Sequence, residues 1–259
     1  MFQLNPNPIV LQFYSLKLTY YLLNLILAFL TILFVLLNAS KNKKLALSEK
    51  EIYSFVILLI LGTVVGARLF YIIFWDLNFY LQNPIKIFYI WQGGLSFHGG
   101  LFGATIIAII YSKIKKLSIM KVVDILVLPS AFFLALGRIA NFFNSEILGI
   151  TTILPWCVVF QNIDNVCRHP IQLYAAAGRL LLFFFLLTIK KKFKNHKPGL
   201  IFWTFVLFIS TGRFFLDFLR DERSFHGLMV GQWFSIILIV ISILAFKKLK
   251  LLNSTNSLT

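Results

Sequence analysis

The sequence predicts an all-α polytopic membrane protein with seven transmembrane helices. Three observations carry this. Of its 259 residues 59% are hydrophobic and 13% charged, and the mean hydropathy is +0.85. Apolar runs of about twenty residues recur, the length that crosses a bilayer as helix. The lysines fall in alternate loops. The spans lie at roughly 17–38, 52–75, 95–112, 121–138, 171–189, 199–217 and 228–246. The length suits one bundle over 1–259, with residues 143–170 as an external insertion containing a β-hairpin. Residues 1–16 carry no Lys or Arg, so the positive region of a cleavable signal is not expected.

Orientation follows from charge. Lys41, Lys43, Lys44 and Lys50 separate spans one and two. Lys113, Lys115, Lys116 and Lys121 separate three and four. Lys190, Lys191, Lys192, Lys194 and Lys197 separate five and six, and Lys247, Lys248 and Lys250 follow the last. Only Lys17 and Lys86 of eighteen lysines fall elsewhere. The lysine-rich side is cytoplasmic by the positive-inside rule, which puts the N-terminus out and the C-terminus in. The net charge of +16 is then a fringe facing anionic membrane lipid. It does not indicate nucleic acid, because no soluble basic domain exists to form a groove.

Span one carries Tyr20 and Tyr21 near its outer end, where tyrosine commonly marks the interface. Span two ends with Gly62, Gly66, Arg68 and Tyr71; the glycines permit close helix approach, and Arg68 either snorkels or points inward. The stretch 77–92, with Pro84 and several aromatics, reads as interfacial. Span three is entered through Gly93 to Gly103, five glycines in eleven residues with His98 among them. Such a helix start lets backbone N–H groups approach an anion. His98 is either a structural donor or a functional group.

Span four carries Asp124 near its inner end, read as structural, and leads into the most unusual stretch. Leu136 to Gly149 packs Arg138, Asn141, Asn144, Glu146 and two glycines beside a long apolar run. Arg138 is an interfacial anchor or part of a site; ionisable groups at such depth favour the site. In the insertion, Pro155 to Phe160 and Val166 to Arg168 flank a turn-rich centre, which reads as a hairpin. The only two cysteines, Cys157 and Cys167, sit on its arms. They form a disulfide or stay as free thiols; no second ligand pair suggests a metal. Span five carries Arg179. Span six ends with Arg213, Asp217 and Arg220, whose spacing places them on one helical face. Before the last span come Gly231 and Gln232.

Seven arginines avoid the lysine side, and arginine binds phosphate bidentately where lysine acts as a point charge. Arginines from several spans beside a Gly-rich helix start suggest a phospholipid headgroup site. At this point the residues resemble the bacterial phosphatidylglycerol–prolipoprotein diacylglyceryl transferases. The resemblance rests on Phe97-His98-Gly99-Gly100-Leu101-Phe102-Gly103, Gly137-Arg138-Ile139-Ala140-Asn141-Phe142-Phe143-Asn144-Ser145-Glu146-Ile147-Leu148-Gly149, Arg168-His169-Pro170-Ile171-Gln172-Leu173-Tyr174, Arg213 to Arg220, and Gly231-Gln232. These occur in the family's order and cover most of the chain.

The resemblance implies a multi-pass enzyme of the bacterial cytoplasmic (inner) membrane. It would move the diacylglyceryl group of phosphatidylglycerol to the lipobox cysteine of a preprolipoprotein signal peptide, without a cofactor or metal. It implies catalytic roles for His98, Arg138, Arg213, Glu146 and Asn141. Arg138 and Arg213 would hold the phosphate, Asn141 and Glu146 would orient lipid or arginine, and His98 is the candidate base. It implies substrate-binding roles for Tyr21, Arg68, Gly99, Gly100, Asn144, Gly149, Asp217 and Arg220. There are departures: Ala175 replaces the family's Glu after Gln-Leu-Tyr, Asp217 replaces a Glu, and no Pro follows Arg220. The first span also lacks the usual Arg before and Gly after its tyrosines. Together they indicate a divergent member. A catalytically silent lipid-binding or assembly protein on the same scaffold is the alternative. An anion transporter ranks last, because no pair of broken helices occupies matching halves.

Overall fold

The computed structural model describes residues 2–5, 7–13, 16–193, 195–249 and 251. Lys194, Lys250 and the tail Asn253 to Thr259 lie outside the described residues. Among the described residues, seven helices are long and apolar enough to cross a membrane. They are α1 (Tyr20–Lys41), α2 (Glu49–Trp75), α4 (Phe97–Ile114), α5 (Ile119–Phe143), α6 (Ile171–Lys192), α7 (Leu200–Leu216) and α8 (Val230–Lys248). The interfacial stretch holds the short helix α3 (Leu77–Gln82), followed by 3-10 turns at Pro84–Phe88 and Ile90–Gln92. The chain divides into two compact units, Phe29–Ile125 and the combination of Met1–Ala28 with Leu126–Thr259.

Two boundaries differ from expectation. The fourth span runs on to Phe143, so Arg138 and Asn141 lie within α5 and not after it. Hydropathy falls at the first charge, but the backbone ladder is indifferent to side-chain polarity near a helix end. Pro129 is carried inside the same helix, which membrane helices tolerate. At the other site, α7 stops at Leu216, tightens into a 3-10 turn at Asp217–Leu219, and leaves Arg220 extended at φ −91°. Arg213 and Asp217 therefore share a face, and Arg220 does not.

In the unit Phe29–Ile125, α2 and α4 pack through glycine. A Cβ on Gly103 would stand 2.0 Å from the Gly62 carbonyl oxygen, and one on Gly99 would stand 2.3 Å from that of Gly66. Small residues replace side-chain packing with backbone contact, the main means of close helix association in lipid. At the other end of the pair, Phe55 stacks on Tyr111 at 4.5 Å. The Tyr111 hydroxyl donates to the Glu51 carbonyl, and Lys115 pairs with the Glu51 carboxylate at 2.7 Å. Ser48 and Glu51 form a capping box that starts α2.

In the other unit, Val127, Leu128 and Ala131 of α5 meet Leu182 and Leu186 of α6 and Ile201 of α7 in one buried cluster. The insertion holds β4 (Val158–Phe160) and β5 (Cys167–Arg168), an antiparallel pair closed by a Cys157–Cys167 disulfide. Three further strands were not foreseen. β1 (Phe2–Leu4) adds parallel to β4, and β2 (Ile9–Phe13) pairs with β3 (Leu16–Thr19). Phe142, Val158 and Phe160 form a small core under this sheet.

Arg168 fastens the hairpin. Its guanidinium donates to Asp164 at 2.6 Å, to Asp221 at 2.7 Å and to the Gly149 carbonyl at 3.1 Å. Arg168 holds the Asp164 carboxyl below its ordinary range, helped by the Val166 amide. A depressed carboxyl contributes stability above its unfolded value and loses it as pH falls through the folded one.

Three outcomes follow. Gly103→Ala should lower the unfolding midpoint in detergent, by about 1–3 kcal/mol of overpacking. A thiol-reactive maleimide should label Cys157 and Cys167 only after reduction. Protection of the Val166 amide from hydrogen exchange should persist as pH falls to about 4, the ordinary aspartate value, because Arg168 keeps Asp164 ionised below it.

Candidate functional site

Arg138 and Asn141 are i, i+3 neighbours on the last turns of α5, so they share a face. Beyond Phe143 the chain turns back through Ser145 (φ 54°) and Ile147 (φ 56°), two non-glycine residues in the left-handed region. A β-branched residue there is strained by about 1–3 kcal/mol. This turn places Glu146 between them and brings its carboxylate back against α5.

Three donors meet that carboxylate. Oε2 accepts from the Tyr21 hydroxyl at 2.5 Å and from Asn141 Nδ2 at 2.8 Å. Oε1 accepts from Asn144 Nδ2 at 3.1 Å. Asn141 Nδ2 also donates to the Tyr21 hydroxyl. The Asn141 amide is oriented by this: its nitrogen faces a carboxylate, so its oxygen faces Arg138, whose Nη1 lies 3.4 Å away. Gln172, 1% exposed, donates to the Glu146 carbonyl at 2.7 Å. The Gln172 Oε1 has no partner among the described residues.

Beside this cluster lies a cavity of about 320 Å³, within the range that holds small ligands. Arg138, Arg179, Arg213 and Arg220 line it together with Asp217 and Gln172, and Leu182, Phe185, Phe208 and Ile209 supply apolar wall. Gly178 and Gly212, each preceding an arginine, also line it, and nothing would meet a Cβ on either. The lining therefore combines cations that suit an anion with apolar side chains that suit acyl chain. The Arg213 Nε lies 3.4 Å from Asp217 Oδ2, and both rest on α8: a Cβ on Gly231 would stand 2.6 Å from Asp217 Oδ2 and 2.7 Å from Arg213 Nη2.

Arg220 forms an antiparallel bridge with Gly149 and pairs with Glu222 at 3.0 Å. A Cβ on Gly149 would stand 2.3 Å from the His169 carbonyl oxygen, so this glycine answers to backbone packing. In the sequence Arg179 is a lone charge within span five, and Gln172 lies inside the Arg168 to Tyr174 motif. The signal for Arg179 was an arginine in the middle of a span, which by default marks a functional site.

The remaining candidates belong to the unit Phe29–Ile125. Arg68 is buried and donates to the carbonyls of Lys86 (2.5 Å), Gly93 (2.7 Å), Ile87 (2.9 Å) and Gly94 (3.0 Å). Four of a guanidinium's five N–H donors are thus used by backbone, and its carbon lies 4.8 Å from the Tyr80 ring centroid. This arginine pins the interfacial segment. Gly99 and Gly100 turn toward Gly66 and Thr63 of α2, so their missing side chains serve close helix approach. His98 is exposed, edge-on to Phe97 at 5.8 Å.

Gly231→Ala should displace the Arg213–Asp217 pair and lower turnover about tenfold or more, a barrier change of about 1.4 kcal/mol. Its unfolding midpoint should stay near the parent's, because the displaced groups border a cavity. Steady-state rates beside detergent melting curves test this.

Comparison with known proteins supplies the family. A family model described as prolipoprotein diacylglyceryl transferase matches residues 8–247. A phosphatidylglycerol–prolipoprotein diacylglyceryl transferase of Geobacter sulfurreducens is 34% identical over 88% of this chain and 87% of its own. One from Polynucleobacter asymbioticus is 31% identical over 97% of each chain. One from Cupriavidus metallidurans is 37% identical over 70% of this chain and 69% of its own. The chain that carries this arginine-lined cavity belongs to the prolipoprotein diacylglyceryl transferase family.

Proposed function

We propose that this protein transfers the diacylglyceryl group of phosphatidylglycerol to the lipobox cysteine of a preprolipoprotein, at the outer face of a bacterial cytoplasmic membrane. The observation that carries the site assignment is a single cavity lined by both guanidinium groups and apolar side chains. A phospholipid combines the same two chemistries.

The reaction forms a bond between the cysteine sulfur and a glycerol carbon and breaks the bond from that carbon to phosphate oxygen. The electron pair leaves with the phosphate as glycerol phosphate, and the thiol proton passes to a base. Arg138 and Arg213 hold the phosphate, and donors aimed at developing charge are the main source of catalysis in such steps. Glu146, fixed by Tyr21, Asn141 and Asn144, orients Asn141, and Asn141 orients Arg138. Asp217 orients Arg213 against α8. His98 is assigned as the base, at the start of α4. Arg68, Gly99, Gly100 and Gly149 contribute by positioning backbone. The N-terminus lies outside and the C-terminus inside, as the lysine distribution requires.

Ala175 lines the cavity where the family pattern carries a carboxylate, and this favours a second reading, lipid binding without transfer. One assay separates the two. The purified chain in phosphatidylglycerol vesicles, given a lipobox peptide, should yield a peptide heavier by one diacylglyceryl group. A folded protein that binds the vesicle lipid and yields none establishes the second reading. Arg138→Lys and Arg213→Lys keep charge but lose the fork, and each should lower kcat/KM by about a hundredfold, as for loss of a transition-state donor. Full activity in both would remove the phosphate clamp.

A further inference from the structure

Six of the seven arginines divide into two kinds. Arg68 is saturated by four carbonyls, and Arg168 by two carboxylates and a carbonyl. Both do structural work: Arg68 is buried and Arg168 half-buried, and each has its charge satisfied. The cavity arginines are different. Arg213 and Arg220 have one carboxylate each, Asp217 and Glu222. Arg138 and Arg179 have none within ion-pair distance among the described residues. Each makes a single long contact of 3.4 Å, Arg138 to Asn141 Oδ1 and Arg179 to the Leu134 carbonyl. Leu134 precedes Arg138 by one helical turn on α5, so Arg179 reaches from α6 to the face of α5 that carries Arg138.

Two unpaired guanidiniums border one cavity in a low-dielectric setting, where such charge calls for an anion. The phosphate of a glycerophospholipid carries one negative charge as a diester. Glycerol phosphate, once released, is a monoester and approaches two. Substrate thus leaves one cation unmatched, and product matches both. A group that interacts more strongly as the reaction proceeds lowers the barrier, while one that binds both states equally does not. Resting on the function proposed above, we propose that Arg179 is a third phosphate-binding guanidinium of this cavity, selective for the charge that develops on the departing glycerol phosphate. The carbon–oxygen bond breaks with its electron pair on the phosphate oxygen, and the added charge meets Arg179 as well as Arg138. Gly178, with open space above it, lets that phosphate approach.

The test uses the full chain in detergent and in phosphatidylglycerol vesicles, with sn-glycerol 1-phosphate as probe and glycerol as the uncharged control. Glycerol phosphate should raise the parent's unfolding midpoint, and glycerol should not. Arg179→Gln should lose that shift. It should raise the inhibition constant of glycerol phosphate about tenfold and lower kcat by a similar factor, with KM for phosphatidylglycerol within about threefold. Arg179→Lys, which keeps charge without the fork, should raise the inhibition constant about threefold. An unchanged inhibition constant and midpoint shift in folded Arg179→Gln would overturn the assignment. So would a KM that rises as much as the inhibition constant, since that marks uniform binding. Should the Gln variant not fold, an inhibition constant in Arg179→Lys equal to the parent's overturns it. If the parent yields no lipidated peptide but glycerol phosphate still stabilises the parent and not Arg179→Gln, the function fails and the phosphate site stands.

Discussion

A carboxylate that accepts from three neutral donors is the contact on which the site depends. Glu146 is reached by Tyr21 from α1 and by Asn141 and Asn144 from the end of α5 and the turn after it. Neutral donors leave its charge in place, so Glu146 supplies order without cancelling the field of the arginines. Had an arginine filled that role, the cavity would have lost the cation it displays. The amide of Asn141 passes the order on, because nitrogen toward a carboxylate forces oxygen toward Arg138. Left-handed backbone at Ser145 and Ile147 gives the turn that makes this possible.

The same chain shows what arginine does when charge is not for use. Arg68 and Arg168 spend nearly every N–H on backbone or carboxylate, and each ties a loop to a helix or sheet. The cavity arginines are held loosely by comparison. Satisfied guanidiniums build the frame, and under-satisfied ones line the cavity.

Much of this was legible in the residues. Seven spans follow from apolar run length, and the hairpin with its cysteines follows from a turn-rich centre between β-prone arms. Arg138, Asn141 and Glu146 stood out because polar groups crowd an apolar neighbourhood. What escaped is what depends on distant partners. The N-terminal strands are too short to declare themselves, and β1 exists only because β4 offers an edge. The glycines of α4 show in sequence that space is available, but the backbone of α2 that packs on them does not show there. Arg220 read as a helical neighbour of Arg213, but a 3-10 turn intervenes. Arg179 lies in an otherwise ordinary span, and its cavity is assembled by α5, α6 and α7 together.

The sheet carries a consequence for the order of assembly. Phe2 pairs with Val158, Gln3 with Val159 and Leu4 with Phe160, so a segment made before α1 waits for a strand that emerges after α5. Chains are made from the N-terminus onward, and contacts distant in sequence form late. The leading segment therefore stays unpaired while those helices are laid down. Closure of the sheet, with the Cys157–Cys167 bond beside it, is a late event in the chain's biogenesis and reports that the preceding helices are already in place.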